Sequence, residues 1–188
     1  WIGGVYFAGY LLSVPVLVSL TDRVDPRRVY VAAMALSAVS AGGFALAADG
    51  VASASLWRAM QGIGLAGTYM PGLKALTDAV PERLQSRAVA FYTSSFGIGS
   101  SLSFVIAGEI AALLDWRWAF GLSAIGPLAA IPLAILVLRP RPPVSDRVPS
   151  TRLLDFRPVF RNRQAIAFTL GYCVHNWELF GYRTCLLY

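Results

Sequence analysis

The chain has 188 residues, 56% hydrophobic and 14% charged, with a formal net charge of +6 and a mean hydropathy of +0.59. Soluble domains carry roughly 25% charged residues, so the composition argues against an ordinary water-soluble module and for a membrane protein. Cys173 and Cys185 lie twelve apart, about 18 Å along a helix and beyond disulfide reach; neither a disulfide framework nor a metal-ligand pattern is present.

The chain opens on Trp1 and stops at Tyr188 inside an apolar run, which reads as an internal piece of a longer protein. A helix needs roughly 20 apolar residues to cross a bilayer core. Six runs meet that length, at about 1–20, 29–48, 52–77, 88–114, 118–138 and 165–188. The expected fold is therefore an all-α membrane protein with about six transmembrane helices. The connections alternate in charge. Segments 21–28, 78–87 and 139–164 hold twelve basic residues, whereas the turns at 49–51 and 115–117 hold one. Basic loops stay on the cytoplasmic side, which puts Trp1 outside and starts the last run from the cytoplasm. Because the arginines alternate with spans and form no single stripe, a nucleic-acid partner is not expected.

The first five runs, residues 1–138, form one expected half. Segment 139–164 begins with the proline-rich "RPRPPVSDRVPS", which suits a semi-rigid spacer. "STRLLDFRPVFRNRQ" then reads either as a short helix on the membrane surface or as a disordered basic linker. Residues 165–188 would open a second membrane half.

The third run contains "RAMQGIGLAG", where Gly62, Gly64 and Gly67 match the letters of a dinucleotide-binding turn. That turn requires a preceding strand, and none precedes it here. On a helix the same residues set small side chains four apart, a pattern that lets helices approach closely in lipid. Ser95, Gly97, Gly99 and Ser103 on the fourth run suggest that these two spans press together. One stripe of the third run joins Arg58, Gln61, Leu65, Thr68, Tyr69 and Gly72. An arginine within a span marks a pathway or a buried partner, unless it snorkels to the nearby outer surface. Glu109 lies at a similar depth on the fourth run. It is either an ion-pair partner for Arg58 or a water-facing residue.

The arrangement resembles the major facilitator superfamily of secondary transporters. "LTDRVDPRR" is similar to the family's Gly-x-Leu-Ala-Asp-Arg-x-Gly-Arg-Arg signature: Leu20, Asp22 and Arg23 match, and Arg27 and Arg28 supply the trailing basic pair. Val18, Asp25 and Pro26 depart from it. "RAMQG" matches Arg-x-x-Gln-Gly through Arg58, Gln61 and Gly62, and "DWRWAF" at 115–120 resembles the turn between the fifth and sixth helices. The resemblance implies helices two to seven of twelve, with 139–164 joining the two halves. It implies a gate network of Asp22 with Arg27 or Arg28 and with Asp78, Arg23 beside them. Lys74 and Asp78 would form a structural pair. "SFVIAG" stands where the family's antiporters carry Gly-Pro-x-x-Gly-Gly, which counts against a drug–proton exporter.

The last run, "GYCVHNWELFGYR", sets Tyr172, His175, Asn176, Tyr182 and Arg183 on one helical face with Glu178 at its flank. His175 and Glu178, three apart, are within reach of each other. Histidine titrates near neutrality, a desolvated glutamate would hold its proton more tightly, and an arginine suits an anion. The bland alternative is that these groups satisfy one another between helices. The reading is a proton-coupled secondary transporter of a small solute, possessing neither cofactor nor metal, with a small organic anion as the favoured substrate class. A monomer among membrane lipids is expected, in the inner membrane of a bacterium. The alternatives are a drug or metabolite efflux antiporter, a membrane-embedded enzyme using Ser100 or Ser101 with His175, or a transporter-like sensor.

Overall fold

A computed structural model describes residues 2–138, 140 and 156–186, with side chains as far as Trp177 apart from Pro158. The chain divides into two compact units, Trp1–Pro149 and Ser150–Tyr188. Helices account for all the regular structure among the described residues.

The first unit contains α1 (Ile2–Leu20), α2 (Pro26–Ala47), α3 (Val51–Ala79), α4 (Glu82–Leu113), α5 (Trp116–Ser123) and α6 (Ile125–Val137). Ile2–Leu20, Pro26–Ala47, Glu82–Leu113 and the joined stretch Trp116–Val137 are long and apolar enough to cross a membrane. At 29 residues, α3 also has the length, but Arg58, Gln61, Lys74 and Asp78 dilute its hydropathy. The fifth predicted run thus consists of two helical pieces that meet at Ala124.

Short polar signals set the helix ends. The Asp25 carboxylate accepts the Arg27 backbone N–H at 2.9 Å, and Pro26 fills the first helical position, where its missing N–H costs nothing. Ser53 accepts the Gly50 N–H at 3.1 Å and closes the start of α3. Asp115 accepts the Trp116 N–H at 2.7 Å and starts α5. Helix therefore extends into sequence expected as loop: Arg27 and Arg28 belong to α2, and only Val80 and Pro81 separate α3 from α4.

Along its length α3 packs against α1 and α2, while α2 also carries α5 and α6. Close approach explains the glycines. A Cβ on Gly62 would collide with the Tyr6 carbonyl, and one on Gly9 would sit 2.5 Å from the Ala59 carbonyl oxygen. On the other side, Gly64 faces Ser37, and a Cβ on Gly67 would lie 2.6 Å from that of Ala33. Ala66 between them is fully buried. In lipid this dispersion contact holds helices together, since tails solvate apolar side chains as well as protein does. Leu12, Leu46, Phe91 and Leu136 are correspondingly exposed.

The expected small-residue contact between α3 and α4 is corrected. Gly97 and Gly99 have open space where a Cβ would stand, and no described residue of α4 is buried. Aromatic side chains make the junction instead: Tyr69 lies against Tyr92 and Phe96, and the Tyr92 hydroxyl donates to the Tyr69 carbonyl at 3.0 Å. Bulky rings hold the two backbones too far apart for glycine contact.

The second unit contains α7 (Arg157–Arg161) and α8 (Arg163–Leu186). Asn162 separates them, its side-chain oxygen accepting the N–H groups of Gln164 and Ala165 at 3.0 and 3.3 Å. Most of the expected spacer, including residues 141–155, lies outside the described residues.

Candidate functional site

Among the described residues, Arg58 meets more aromatic rings than any other charged side chain. It sits seven residues into α3, and its guanidinium carbon lies 4.9 Å from the ring centre of Phe120, 5.5 Å from Phe44 and 5.7 Å from Tyr6. Four helices thus contribute to one cage: α1, α2, α3 and α5. The rings hold one another as well, with Phe44 tilted at 47° against Phe120, centroids 4.4 Å apart, and edge-on to Trp116 at 5.7 Å. A cation over an aromatic face gains roughly 0.5–2 kcal/mol per ring, most where water is excluded. Nη1 donates to the Gln61 side-chain oxygen at 3.1 Å, which joins the two polar residues of "RAMQG" one turn apart. Nε is fully buried and has no hydrogen-bond partner among the described residues.

This arrangement overturns the expected Arg58–Glu109 pair. Glu109 is exposed, and the contacts of Arg58 are Gln61 and three rings. The reason is that α3 turns Arg58 towards α1, α2 and α5, whereas α4 is fastened to α3 lower down, at Tyr69 and Tyr92. Tyr6, Phe44 and Phe120 were not singled out in the sequence. The signal was present only for Phe120, within "DWRWAF"; nothing in the linear order joins it to Tyr6.

The two ends of the bundle each carry an ion pair. At the end with the basic connections, Lys74 of α3 binds Asp22 at 2.9 Å. Asp22 thus takes Lys74, and neither Arg27 nor Arg28, as its ion-pair partner; Lys74 correspondingly reaches the α1–α2 turn instead of pairing with Asp78 four residues on. Arg27 donates from Nη2 to the Ile135 carbonyl at 2.7 Å, which ties α2 to α6. Arg23 and Asp78 are also engaged in polar or electrostatic contacts. At the opposite end, Arg117 of α5 donates to the Ala45 carbonyl at 2.9 Å and to Asp49 at 3.4 Å. Its guanidinium also lies 4.7 Å from the Trp116 ring.

A cavity of about 840 Å³ opens at the basic end between α2, α3, α4 and α6. Tyr30, Tyr92, Ala130, Leu133 and Asp78 line it, and Gly72 forms part of the wall, where a Cβ would stand 2.6 Å from the Tyr92 hydroxyl. Its size is within the range of small-molecule sites, and its wall is mainly apolar with a few polar groups.

On α8, Tyr172 and His175 are exposed, and Asn176 donates to the Tyr172 carbonyl at 2.8 Å. The side chains of Glu178, Tyr182 and Arg183 lie outside the described residues, so the His175–Glu178 pair stays an expectation. The Ser101 hydroxyl donates to the Gly97 carbonyl at 3.0 Å within its own helix.

Long apolar helices, joined by short capped turns and packed through glycine around a helix that carries an enclosed arginine, define a multi-pass integral membrane protein. The chain belongs to the Major Facilitator Superfamily, which residues 1–184 match. It is 28% identical over 138 residues to the MFS-type transporter TwmF of Talaromyces wortmannii, covering 73% of this chain and 25% of that protein. It is 27% identical over 143 residues to the efflux pump apf11 of Gibberella fujikuroi, covering 76% and 25%. With the sialic acid transporter NanX of Escherichia coli it shares 29% identity over 133 residues, covering 66% and 32%. The chain spans about a quarter of the length of the first two and a third of the third.

Proposed function

We propose that the protein containing this chain is a secondary carrier that moves a small solute across a membrane by alternating access. Its favoured solute class is a small organic anion, and transport is coupled to protons. The basic end of the bundle faces the cytoplasm, in the plasma membrane of a bacterium, and the protein works as a monomer. Residues 1–138 belong to one membrane half, 139–164 join the halves, and 165–188 open the second.

One observation carries this reading: Arg58 is enclosed by three rings and Gln61, with a buried Nε–H that has no acceptor among the described residues. An unpaired buried donor costs roughly 1–3 kcal/mol, and such groups persist where function requires them. A carrier supplies the requirement, because rocking of its halves changes the neighbours of each cavity residue. A carboxylate solute is one acceptor that the guanidinium would meet with paired hydrogen bonds. Tyr69 on the same helix, and Tyr172, His175, Asn176, Glu178 and Arg183 on α8, would complete the solute and proton path. Among these, His175 and Glu178 are the groups suited to gain and lose a proton.

The test is uptake by the full-length protein in proteoliposomes, with a pH gradient imposed and a panel of carboxylate, zwitterionic and cationic solutes. Expected is gradient-driven flux of a carboxylate, reduced at least roughly tenfold by Arg58→Gln, as for loss of a charge-assisted hydrogen bond. Wild-type flux in that variant would sink the assignment of Arg58. Undiminished pH-driven flux in Glu178→Gln would remove Glu178 from coupling. The similarity to an efflux pump supports a second reading, a drug or metabolite antiporter, and flux of bulky cationic solutes would select it. An enzyme is the weaker alternative: the Ser101 hydroxyl is occupied within its own helix.

A further inference from the structure

Adjacent arginines at the basic end of α2 have opposite fates. Arg27 is committed, its backbone N–H on Asp25 and its guanidinium on the Ile135 carbonyl. The Arg28 side chain is exposed and makes no hydrogen bond or ion pair among the described residues. Its two nearest acidic neighbours in sequence are already engaged, Asp22 by Lys74 and Asp25 by the Arg27 N–H. A guanidinium offers five donors in a planar fork, and all the side-chain donors of Arg28 are free among the described residues.

Two apolar furrows meet at this side chain. One, of about 420 Å³, runs between α2 and α6 past Val31, Ala35 and Ile135. The other, of about 310 Å³, runs between α2 and α1 past Leu17, Leu20 and Leu36. Arg28 and Ala32 line both. Ala32 is exposed, so its methyl forms a low ridge between them. Both furrows begin at the charged end of a helix that crosses the membrane and continue along its apolar length.

We propose that Arg28 and these furrows form a binding site for an anionic diacyl phospholipid of the cytoplasmic leaflet. The phosphate sits on the Arg28 guanidinium, in the paired geometry that arginine and phosphate share. The acyl chains lie in the furrows on either side of Ala32. Charge complementarity selects the occupant: a free cation at the membrane surface, heading two grooves of hydrocarbon character, matches a lipid that is anionic at the top and apolar below. Soluble anions would use the head of the site and leave the furrows unfilled. This inference depends on the basic end facing the cytoplasm and is independent of what the carrier transports.

The experiment is native mass spectrometry of the full-length protein in detergent, titrated with dioleoyl phosphatidylglycerol or dioleoyl phosphatidylcholine. Wild type is expected to retain one more phosphatidylglycerol than Arg28→Gln at matched lipid. Its preference over phosphatidylcholine at that site should be roughly fivefold, the effect of one basic residue near an anionic lipid. Arg28→Lys should keep part of the preference. Ala32→Trp puts a bulky ring where the two furrows meet without touching the charge and should lose the same lipid, whereas glycerol phosphate alone should not compete. Equal retention in wild type and Arg28→Gln would overturn the proposal. So would an unaltered preference in Ala32→Trp, or effective competition by glycerol phosphate, either of which would show a headgroup anion only.

Discussion

Helices α3 and α4 are neighbours in sequence, similar in length and both rich in glycine, alanine and serine, yet they occupy opposite environments. In α3, Gly62, Gly64, Ala66, Gly67 and Thr68 are buried, with the backbone and small side chains of α1 and α2 against them. In α4, Gly97, Gly99 and Gly108 have nothing within reach of a Cβ. Small residues four apart permit a helix to be approached; they do not name what approaches. The choice is made by the bulky residues around them. Tyr92 and Phe96 occupy the α4 face turned to α3, whereas the facing positions of α1 and α2 carry Gly9, Ala33 and Ser37.

The largest expected effect separates those two sets of glycines. Gly62→Leu would force a side chain into the Tyr6 carbonyl, and backbone cannot give way as a side-chain tip can. Overpacking of this kind costs about 1–3 kcal/mol, and more where backbone must move. The full-length protein should show a sharply lowered unfolding temperature in detergent or fail to fold. Gly99→Leu should change that temperature little within this bundle. Equal effects at the two positions would mean that the small-residue faces have been assigned to the wrong helices.

Next in size is the contrast between Arg58 on α3 and Glu109 on α4. Arg58→Lys keeps the charge but loses the flat guanidinium that meets Phe120, Phe44 and Tyr6, and arginine and lysine are not equivalent at stacked sites. A loss of about 1–2 kcal/mol in stability is expected, at the upper range of a desolvated ring contact. Phe120→Leu should cost a similar amount. Their combination should cost less than the sum, since both remove one interaction. Glu109→Gln, at an exposed position, should stay within about 0.5 kcal/mol of wild type. Strict additivity of Arg58→Lys and Phe120→Leu in thermal unfolding would show that ring and cation do not interact.

The same pair of helices shows what could be read from residues alone. The broad placement of the crossings was legible, because a 20-residue apolar run has few other folds open to it; helix number was not, since the fifth run is two helices, α5 and α6, and a short α7 precedes α8. The ends were not: α4 starts at Glu82, six residues before its apolar run, because "ERLQSR" is polar and yet helix-forming behind Pro81. Arg58 stood out as a charge in an apolar run, and Gln61 followed from helical spacing. Its cage drew on Tyr6, Phe44 and Phe120, separated by 114 residues from first to last, and no periodicity spans that distance. Asp22 and Lys74 met for the same reason. A three-dimensional neighbour displaced Asp78, the partner that spacing along one helix had suggested.

That displaced partner provides the smallest effect and a test of the gate expected around Asp22. The Asp22–Lys74 pair is half-exposed on both sides, so its contribution to stability should be about 0.2–1 kcal/mol and weaken with salt. A charge swap, Asp22→Lys with Lys74→Asp, should recover the stability lost by either single change. Lys74→Asp with Asp78→Lys should not, because it leaves Asp22 facing a second carboxylate. The arginines of the same turn lie outside this bond: Arg27 is committed to Ile135 and Arg28 has no partner among the described residues. Neutralising Arg28 should therefore leave the Asp22–Lys74 coupling energy unchanged in a double-mutant cycle. A coupling that fell on removal of Arg28 would restore the arginine to the network. It would also make the pair part of a larger charge cluster, with a salt dependence steeper than two charges produce.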